Sequence, residues 1–345
     1  MDGQPLLSVR ELKTYFFADE GVTRAVDGAS FDVWPGKTLG IVGESGCGKS
    51  VTARSILRIV ERPGRIVGGQ LLLTRNGSRV DLAGLSADGH PMREIRGGEI
   101  SLVFQEPMTS FSPVHTIGSQ IMEAIQLHRR VPKSEARARA VDLMRLVGVP
   151  RAEARLDEYA FQLSGGLRQR AMIAMALVAA PRLLIADEPT TALDVTTQAQ
   201  ILALLRELQQ RNGMAIMLIT HDLGVIAEMA DEVVVMYLGR VVEQGPVDDI
   251  FHNPKHPYTQ ALLRSIPSVQ AAPRSRLTTI SGSIPHPFNR PPGCPFHPRC
   301  PAFMPGTCDQ AEPLLAPVGE RQSVSCFLYE GSAASHELAA HGSTG

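Results

Sequence analysis

Along residues 6–36 apolar and polar positions alternate, broken once by "ADEG", and this period of two predicts antiparallel strands. At Thr38 the pattern changes. "TLGIV" is a short unbroken apolar run of buried-strand length, and behind it Ala53, Ile56, Leu57 and Val60 recur at the spacing of one helix face. From about residue 106 to 162 the period is mainly helical, and "SEARARAVDLMRLVG" offers Ser134 as N-cap, Glu135 in the first turn and Gly148 as a stop. Strands follow at "RLLIAD" and "AIMLIT", and "EVVVMYLGRVVEQG" reads as two strands joined at Leu238-Gly239. Strands alternating with helices predict the α/β class. After "HPYTQALLRSIP" the composition shifts to Pro, Ser and Cys, which places a boundary near residue 265. The tail from Ser332 is small and polar, a disordered composition.

The joint between "TLGIV" and the helix behind it reads "GESGCGKS", which fits the phosphate-loop pattern with Gly43, Gly48, Lys49 and Ser50 in register. Strand, glycine loop and helix start come in the order the chemistry requires. Glycines let successive N–H groups curl around phosphate oxygens, and the helix N-terminus adds its positive end. Lys49 is placed to neutralise the β- and γ-phosphates of a nucleotide, and Ser50 to hold Mg²⁺. Cys47 stands at the same helix N-terminus beside Lys49, surroundings that lower a thiol's pKa and raise its reactivity.

A phosphate loop needs a second strand carrying carboxylates. "RLLIADEPT" supplies Asp187, a Mg²⁺ ligand directly or through water, and Glu188, a base for the attacking water. "LSGGLRQR" puts Ser164, Gly165 and Gly166 before an apolar helix, where the serine can cap and the glycine N–H groups face outward as a second anion site.

Composition narrows the class of function. With 34 Lys and Arg against 35 Asp and Glu there is no basic field for nucleic acid, and 43% hydrophobic residues are ample for a core. The longest apolar run, "AMIAMALVAA", is far short of the roughly 20 residues that span a bilayer, and the N-terminus lacks a signal's basic and apolar regions. These features predict a cytoplasmic chain, where clustered cysteines are metal ligands or catalytic more often than disulfides.

The ordered set resembles the ATP-binding subunits of ABC transporters over about residues 5–265. The resemblance implies a P-loop NTPase fold with a RecA-like core, an antiparallel β subdomain and a helical subdomain over about 106–165, beside which composition sets a Cys-rich extension over 266–330 and a disordered tail at 331–345. It implies ATP and Mg²⁺ held by Gly43, Glu44, Ser45, Gly46, Cys47, Gly48, Lys49, Ser50 and Val51, with adenine on Phe16, or on Tyr15 if the register slips by one. The Q-loop glutamine falls on Gln105, which also reaches the metal, the signature on Ser164, Gly165 and Gly166, and the Walker B pair on Asp187 and Glu188. The D-loop in "TALD" ends at Asp194, and the switch histidine is His221. Leu167 stands where the signature often has Gln or Met.

In that family two ATPase subunits, identical or paralogous, sandwich two nucleotides and drive two membrane permeases through a groove that here includes "EPMTSFSPVHTIGSQI". That stretch, "NPKHPYTQALLRSIP" and the cysteine tail resemble the branch serving peptide, oligopeptide and nickel importers, whose extracytoplasmic binding protein is an indirect partner. The implied place is the cytoplasmic face of the membrane. A soluble ABC ATPase of DNA repair or translation, with an iron–sulfur interaction module, is the alternative.

Cys294, Cys300, Cys308 and Cys326 are spaced C-x5-C-x7-C-x17-C, which matches neither the paired C-x2-C zinc pattern nor the ferredoxin run. Four thiolates suit tetrahedral zinc or an iron–sulfur cube, and the resemblance to dipeptide-importer ATPases implies a [4Fe–4S] cluster, with zinc as the alternative. A segment this short and proline-rich draws its stability from metal ligation, so its loosening is expected to leave ATP binding intact.

Overall fold

The computed structural model describes residues 3–105, 110–191, 193–265, 280, 282–286 and 288–330. Residues 106–109 of the expected permease groove, Ala192 of "TALD", residues 266–279 at the start of the expected Cys-rich domain and the tail from 331 lie outside them. The chain divides into two compact units, one of Met1–Leu6, Val33–Thr38 and Gly84–Ile219, the other of Leu7–Asp32, Leu39–Ala83 and Thr220–Gly345.

In the unit that contains the phosphate loop, the alternating segment forms β1 (Leu7–Ala18) and β2 (Gly21–Val33), parted by the expected break. β1 lies between β2 and β4 (Gly64–Arg75), with β5 (Ser78–Asp81) beyond. β1 and β4 run antiparallel from Leu7↔Leu73 to Phe16↔Gly64. The unbroken run is β3 (Thr38–Val42), buried throughout and followed by α1 (Lys49–Ile56). β3 runs parallel to β9 (Glu232–Tyr237), from Leu39↔Glu232 to Val42↔Val235. β9 turns into β10 (Arg240–Pro246) through Leu238 at φ 43° and Gly239 at φ 81°. Two positive-φ residues in a two-residue hairpin match the right-handed twist of the strands, so the expected joint forms.

In the other unit α2 (His90–Ile95) leads to a parallel sheet of β6 (Ile100–Val103), β7 (Leu183–Asp187) and β8 (Ala215–Ile219). Every residue of β7 and β8 is buried, which is why neither strand alternates. The helical stretch is α3 (Ile117–His128), α4 (Lys133–Leu146), α5 (Ala152–Arg155) and α6 (Gly165–Ala176). α3 and α4 meet through one apolar face each, with Ile121, Ile125, Ala136, Ala140 and Met144 buried.

Ser134 does not cap α4. The helix starts at Lys133, because Pro132 takes the cap position in extended conformation and its carbonyl accepts the Ala136 N–H at 2.9 Å. Proline's fixed φ suits that position, and Ser134 becomes a first-turn residue. The stop is as expected: Gly148, at φ 73°, lets the Val149 N–H return to the Met144 carbonyl at 2.9 Å.

Candidate nucleotide site

The phosphate loop closes on its own lysine. The Lys49 Nζ donates to the carbonyls of Gly43 at 2.7 Å and Glu44 at 3.1 Å, leaving the loop curled in front of α1. A Cβ on Gly43 would stand 2.2 Å from the Met236 carbonyl of β9, and one on Gly48 2.2 Å from the Ala25 carbonyl of β2, so neighbouring backbone forbids any side chain at either position. Gly46 is different. At φ 78° it faces open space, leaving its backbone free to approach a ligand. Ser50 and Val51 follow Lys49 in the first turn of α1.

Cys47 overturns its expectation. The side chain is buried, and that burial pushes its pKa up by more than Lys49, 3.7 Å away, pulls it down. The thiol is a small packed group behind the loop rather than an activated nucleophile.

Phe16 is half-buried on β1 opposite Gly64, where a Cβ would stand 2.6 Å from its ring. Tyr15 donates its hydroxyl to Asp27 at 2.6 Å, and burial with that bond pushes its pKa up to about 12. His221 is exposed, just before Asp222, whose carboxylate caps the helix α8 (Leu223–Met229).

The other unit carries the carboxylates. Asp187 ends β7, and Glu188 follows at φ 47°, a left-handed backbone that a non-glycine residue adopts at a cost. Its N–H donates to the Ile219 carbonyl at 2.8 Å, and its Oε2 accepts from Gln105 Nε2 at 3.3 Å and Thr191 Oγ1 at 2.8 Å. The structure therefore brings Gln105 and Glu188 together across 83 residues of sequence. Thr191, which orients the carboxylate, is a positioning group that spacing alone did not single out.

Ser164 caps α6, accepting from the Leu167 N–H at 3.4 Å. Gly165 and Gly166 open that helix, and a Cβ on Gly166 would come within 2.6 Å of Thr197 on α7 (Val195–Asn212). Asp194 caps α7 through Thr197, whose N–H and hydroxyl it accepts at 2.9 and 2.7 Å, and these bonds lower its pKa. The close approach of Gly166 to Thr197 ties the two motifs to each other.

A model of the ABC transporter family matches residues 26–191, and a model of the oligopeptide/dipeptide transporter C-terminal region matches residues 242–308. The chain is 50% identical to the oligopeptide transport ATP-binding protein AppD of Bacillus subtilis, over 94% of this chain and 97% of that protein. It is 50% identical to a probable peptide ABC transporter ATP-binding protein, y4tR, of Sinorhizobium fredii, over 93% of this chain and 94% of that one. The dipeptide transport ATP-binding protein DppD of Escherichia coli is 48% identical over 93% of this chain and 96% of its own length. Among solved structures, a dimeric bacterial ABC transporter cassette, MJ0796, superposes with a TM-score of 0.62 at 25% identity, over 70% of this chain and 98% of that chain.

This chain belongs to the ABC transporter ATP-binding proteins. It is an ATPase, and the fold expected from its motifs is the one it has.

In this ATPase the cysteine segment is fastened to the unit that carries the phosphate loop. β12 (Ser323–Val324) adds to β10 through Glu243↔Val324 and Gln244↔Ser323, with β11 (Ala316–Pro317) outside it. Glu243, fully buried, accepts from the N–H groups of Lys255 and His256 and from Gln322 of the segment. Phe296 lies within 5.3 Å of the Tyr237 ring and 5.4 Å of the Tyr258 ring, centroid to centroid.

Burial and the charges of Cys294, Cys300 and Cys308 push the Cys326 pKa up to about 11, and burial with neighbouring thiols raises Cys294 and Cys300 also. Among the described residues, no three His, Cys, Asp or Glu side chains gather as ligands of a metal ion, so neither the cluster nor the zinc reading finds a formed site. His297 bonds the Cys294 carbonyl through its ring at 3.0 Å.

Proposed function

We propose that the chain is the ATP-hydrolysing subunit of a peptide importer, working at the cytoplasmic face of the membrane with a second ATPase subunit and two permeases. The observation that carries this reading is the match at residues 242–308 to the C-terminal region of oligopeptide and dipeptide transporters, beside full-length relatives named for peptide transport. A cassette of residues 1–265 with a Cys-rich appendage at 266–330 is the organisation we assign. Among the described residues no helix is long and apolar enough to cross a membrane. In this reading the work of closure is delivered to the permeases. A groove on the helical stretch suits that contact, lined by Ser119, Met122, Glu123, Gln126, Leu127 and Lys133, with Leu127 77% exposed.

In this reading Lys49 and the loop N–H groups hold the phosphates, while Ser50, Asp187 and Gln105 would hold Mg²⁺, which when bound would neutralise phosphate charge. Glu188 orients the attacking water and takes its proton as the γ-phosphorus–oxygen bond to ADP breaks. His221 contacts the γ-phosphate, and Ser164, Gly165, Gly166 and Asp194 close on the nucleotide of the opposite subunit. Phe16 or Tyr15 stacks on adenine. An extracytoplasmic binding protein delivers the peptide.

We assign Cys294, Cys300, Cys308 and Cys326 to one [4Fe–4S] cluster. The support is the gathering of the four cysteines within residues 294–326, three of them inside the match to the oligopeptide/dipeptide transporter C-terminal region, and the suitability of four thiolates for a cube. Protein purified without oxygen is expected to be brown with about four irons per chain. Stoichiometric zinc without iron overturns the assignment. The transport reading is tested by coexpressing the chain with permeases and a binding protein encoded beside it and following ATP-dependent uptake of a labelled di- or oligopeptide into vesicles. Uptake that persists with Glu188→Gln, or peptide-independent ATP turnover with no uptake, counts against it.

A further inference from the structure

Glu44 is a carboxylate inside the loop that a triphosphate approaches, and phosphate binding itself gives no reason for a negative charge there. Its polar groups are all engaged. The N–H donates to Tyr258 Oη at 2.8 Å, the carbonyl accepts from Lys49 Nζ at 3.1 Å, and the two carboxylate oxygens accept from Arg299 at 2.7 and 3.0 Å. Arg299 stands beside Cys300, its side chain 3% exposed, and its Nη1 also donates to Tyr237 at 3.3 Å. Its guanidinium lies over the rings of Tyr237 and Phe296, 5.8 and 5.9 Å from their centroids.

A bidentate guanidinium–carboxylate pair fixes orientation as well as charge. Here it neutralises Glu44 and fixes its carboxylate on Arg299, and the Glu44 carbonyl in turn accepts from Lys49. We propose that Arg299 is a positioning residue for nucleotide binding: through Glu44 the cysteine segment sets the charge and shape of the phosphate loop, so ATP affinity depends on that segment being folded. The inference rests on reading residues 43–51 as the phosphate cradle. It replaces the expectation that a loosened cysteine segment leaves ATP binding intact, since Arg299 of that segment is what holds the Glu44 carboxylate.

The test measures MgADP affinity of the full-length chain by calorimetry, with amide exchange over residues 293–330 as a check that the segment is folded. Arg299→Gln leaves Glu44 charged and unpaired beside the phosphates and is expected to weaken binding at least about tenfold, whereas Arg299→Lys keeps the charge without the bidentate geometry and is expected to fall between it and wild type. The neutral double variant Glu44→Gln/Arg299→Gln is expected to return to within about threefold of wild type, because a neutral pair replaces the ionic one without leaving a charge. A role confined to anchoring the segment predicts no such recovery. Wild-type affinity in Arg299→Gln, or a double variant as weak as the single, overturns the proposal. If Arg299→Gln loosens the segment, Glu44→Gln decides, since it breaks the same pair from the loop side: faster amide exchange over residues 43–49 and weaker binding support the proposal, and unchanged exchange and affinity overturn it. Lys49→Ala run alongside separates the two readings. Unchanged affinity there removes the cradle reading and the proposal with it, while weak Lys49→Ala beside normal Arg299→Gln removes the proposal alone.

Discussion

Glu188 sits at φ 47° with its carboxylate held by Gln105 and Thr191, and that combination of backbone cost and fixed side chain is what a base aimed at one water requires. Glu188→Gln keeps the size and loses the base, so turnover in the assembled transporter is expected to fall at least about 100-fold with nucleotide affinity nearly unchanged. Near-normal turnover in a steady-state phosphate assay would remove Glu188 from the role. Gly43 makes the opposite kind of demand. A methyl group there meets the Met236 carbonyl at 2.2 Å, and φ 151° disfavours any side chain, so Gly43→Ala is expected to lower the melting temperature and abolish MgADP binding together. A variant that melts lower yet binds normally would show that the loop tolerates the shift.

At the scale of elements, the helix α9 (Val247–His252) is followed by α10 (Pro257–Arg264), whose N-cap is His256 with its Nδ1 accepting from the Tyr258 N–H at 3.0 Å. That acceptor exists only in the neutral ring, and complete burial holds the pKa down at about 3. The unfolded chain takes up a proton below about pH 6.5 that the folded chain does not, so this contribution is present above pH 6.5 and lost as pH falls toward 3. The slope is at most about 1.4 kcal/mol per pH unit. His256→Asn keeps a capping acceptor without the titration, and its melting temperature is expected to fall less steeply than wild type from pH 6.5 to 5. Parallel curves would contradict this. Burial raises the pKa of Glu243, which acts in the opposite direction, but it is common to both proteins and cancels in the comparison.

At the scale of the whole chain, ion pairs join segments far apart in sequence. Asp27 of β2, nearly buried, accepts from Arg290 at 2.6 Å and from Tyr15, and Arg290 and Arg240 both pair with Glu312. Arg240, Arg24 and Arg290 together with the Tyr15 bond keep the Asp27 pKa below the usual carboxylate value despite burial. Arg290→Ala strips the nearest cation from a buried carboxylate and is expected to cost about 3 kcal/mol, read as a lower urea midpoint. An unchanged midpoint would mean that Arg240 and Arg24 suffice. Across subunits, Ser164→Arg is expected to abolish hydrolysis by filling the space of the facing nucleotide, and unchanged activity in the assembled complex would contradict the sandwich arrangement.

What the sequence by itself determined is short-range. The run from β3 into the loop and α1, the carboxylates at the end of β7, the serine cap of α6 and the Leu238-Gly239 hairpin were legible because periodicity, capping and turn conformation act over a few residues. Even there Pro132 displaced Ser134 as a cap, since local signals compete within one turn. Only the tertiary structure decided the rest. Helix position and Lys49 argue for an activated Cys47, but the packing around its sulfur costs a thiolate more than those neighbours return. Arg299 and Glu44 stand 255 residues apart, and no periodicity reaches that far. Desolvation and long-range ion pairs depend on which segments the fold brings against each other, and a linear pattern carries no record of that.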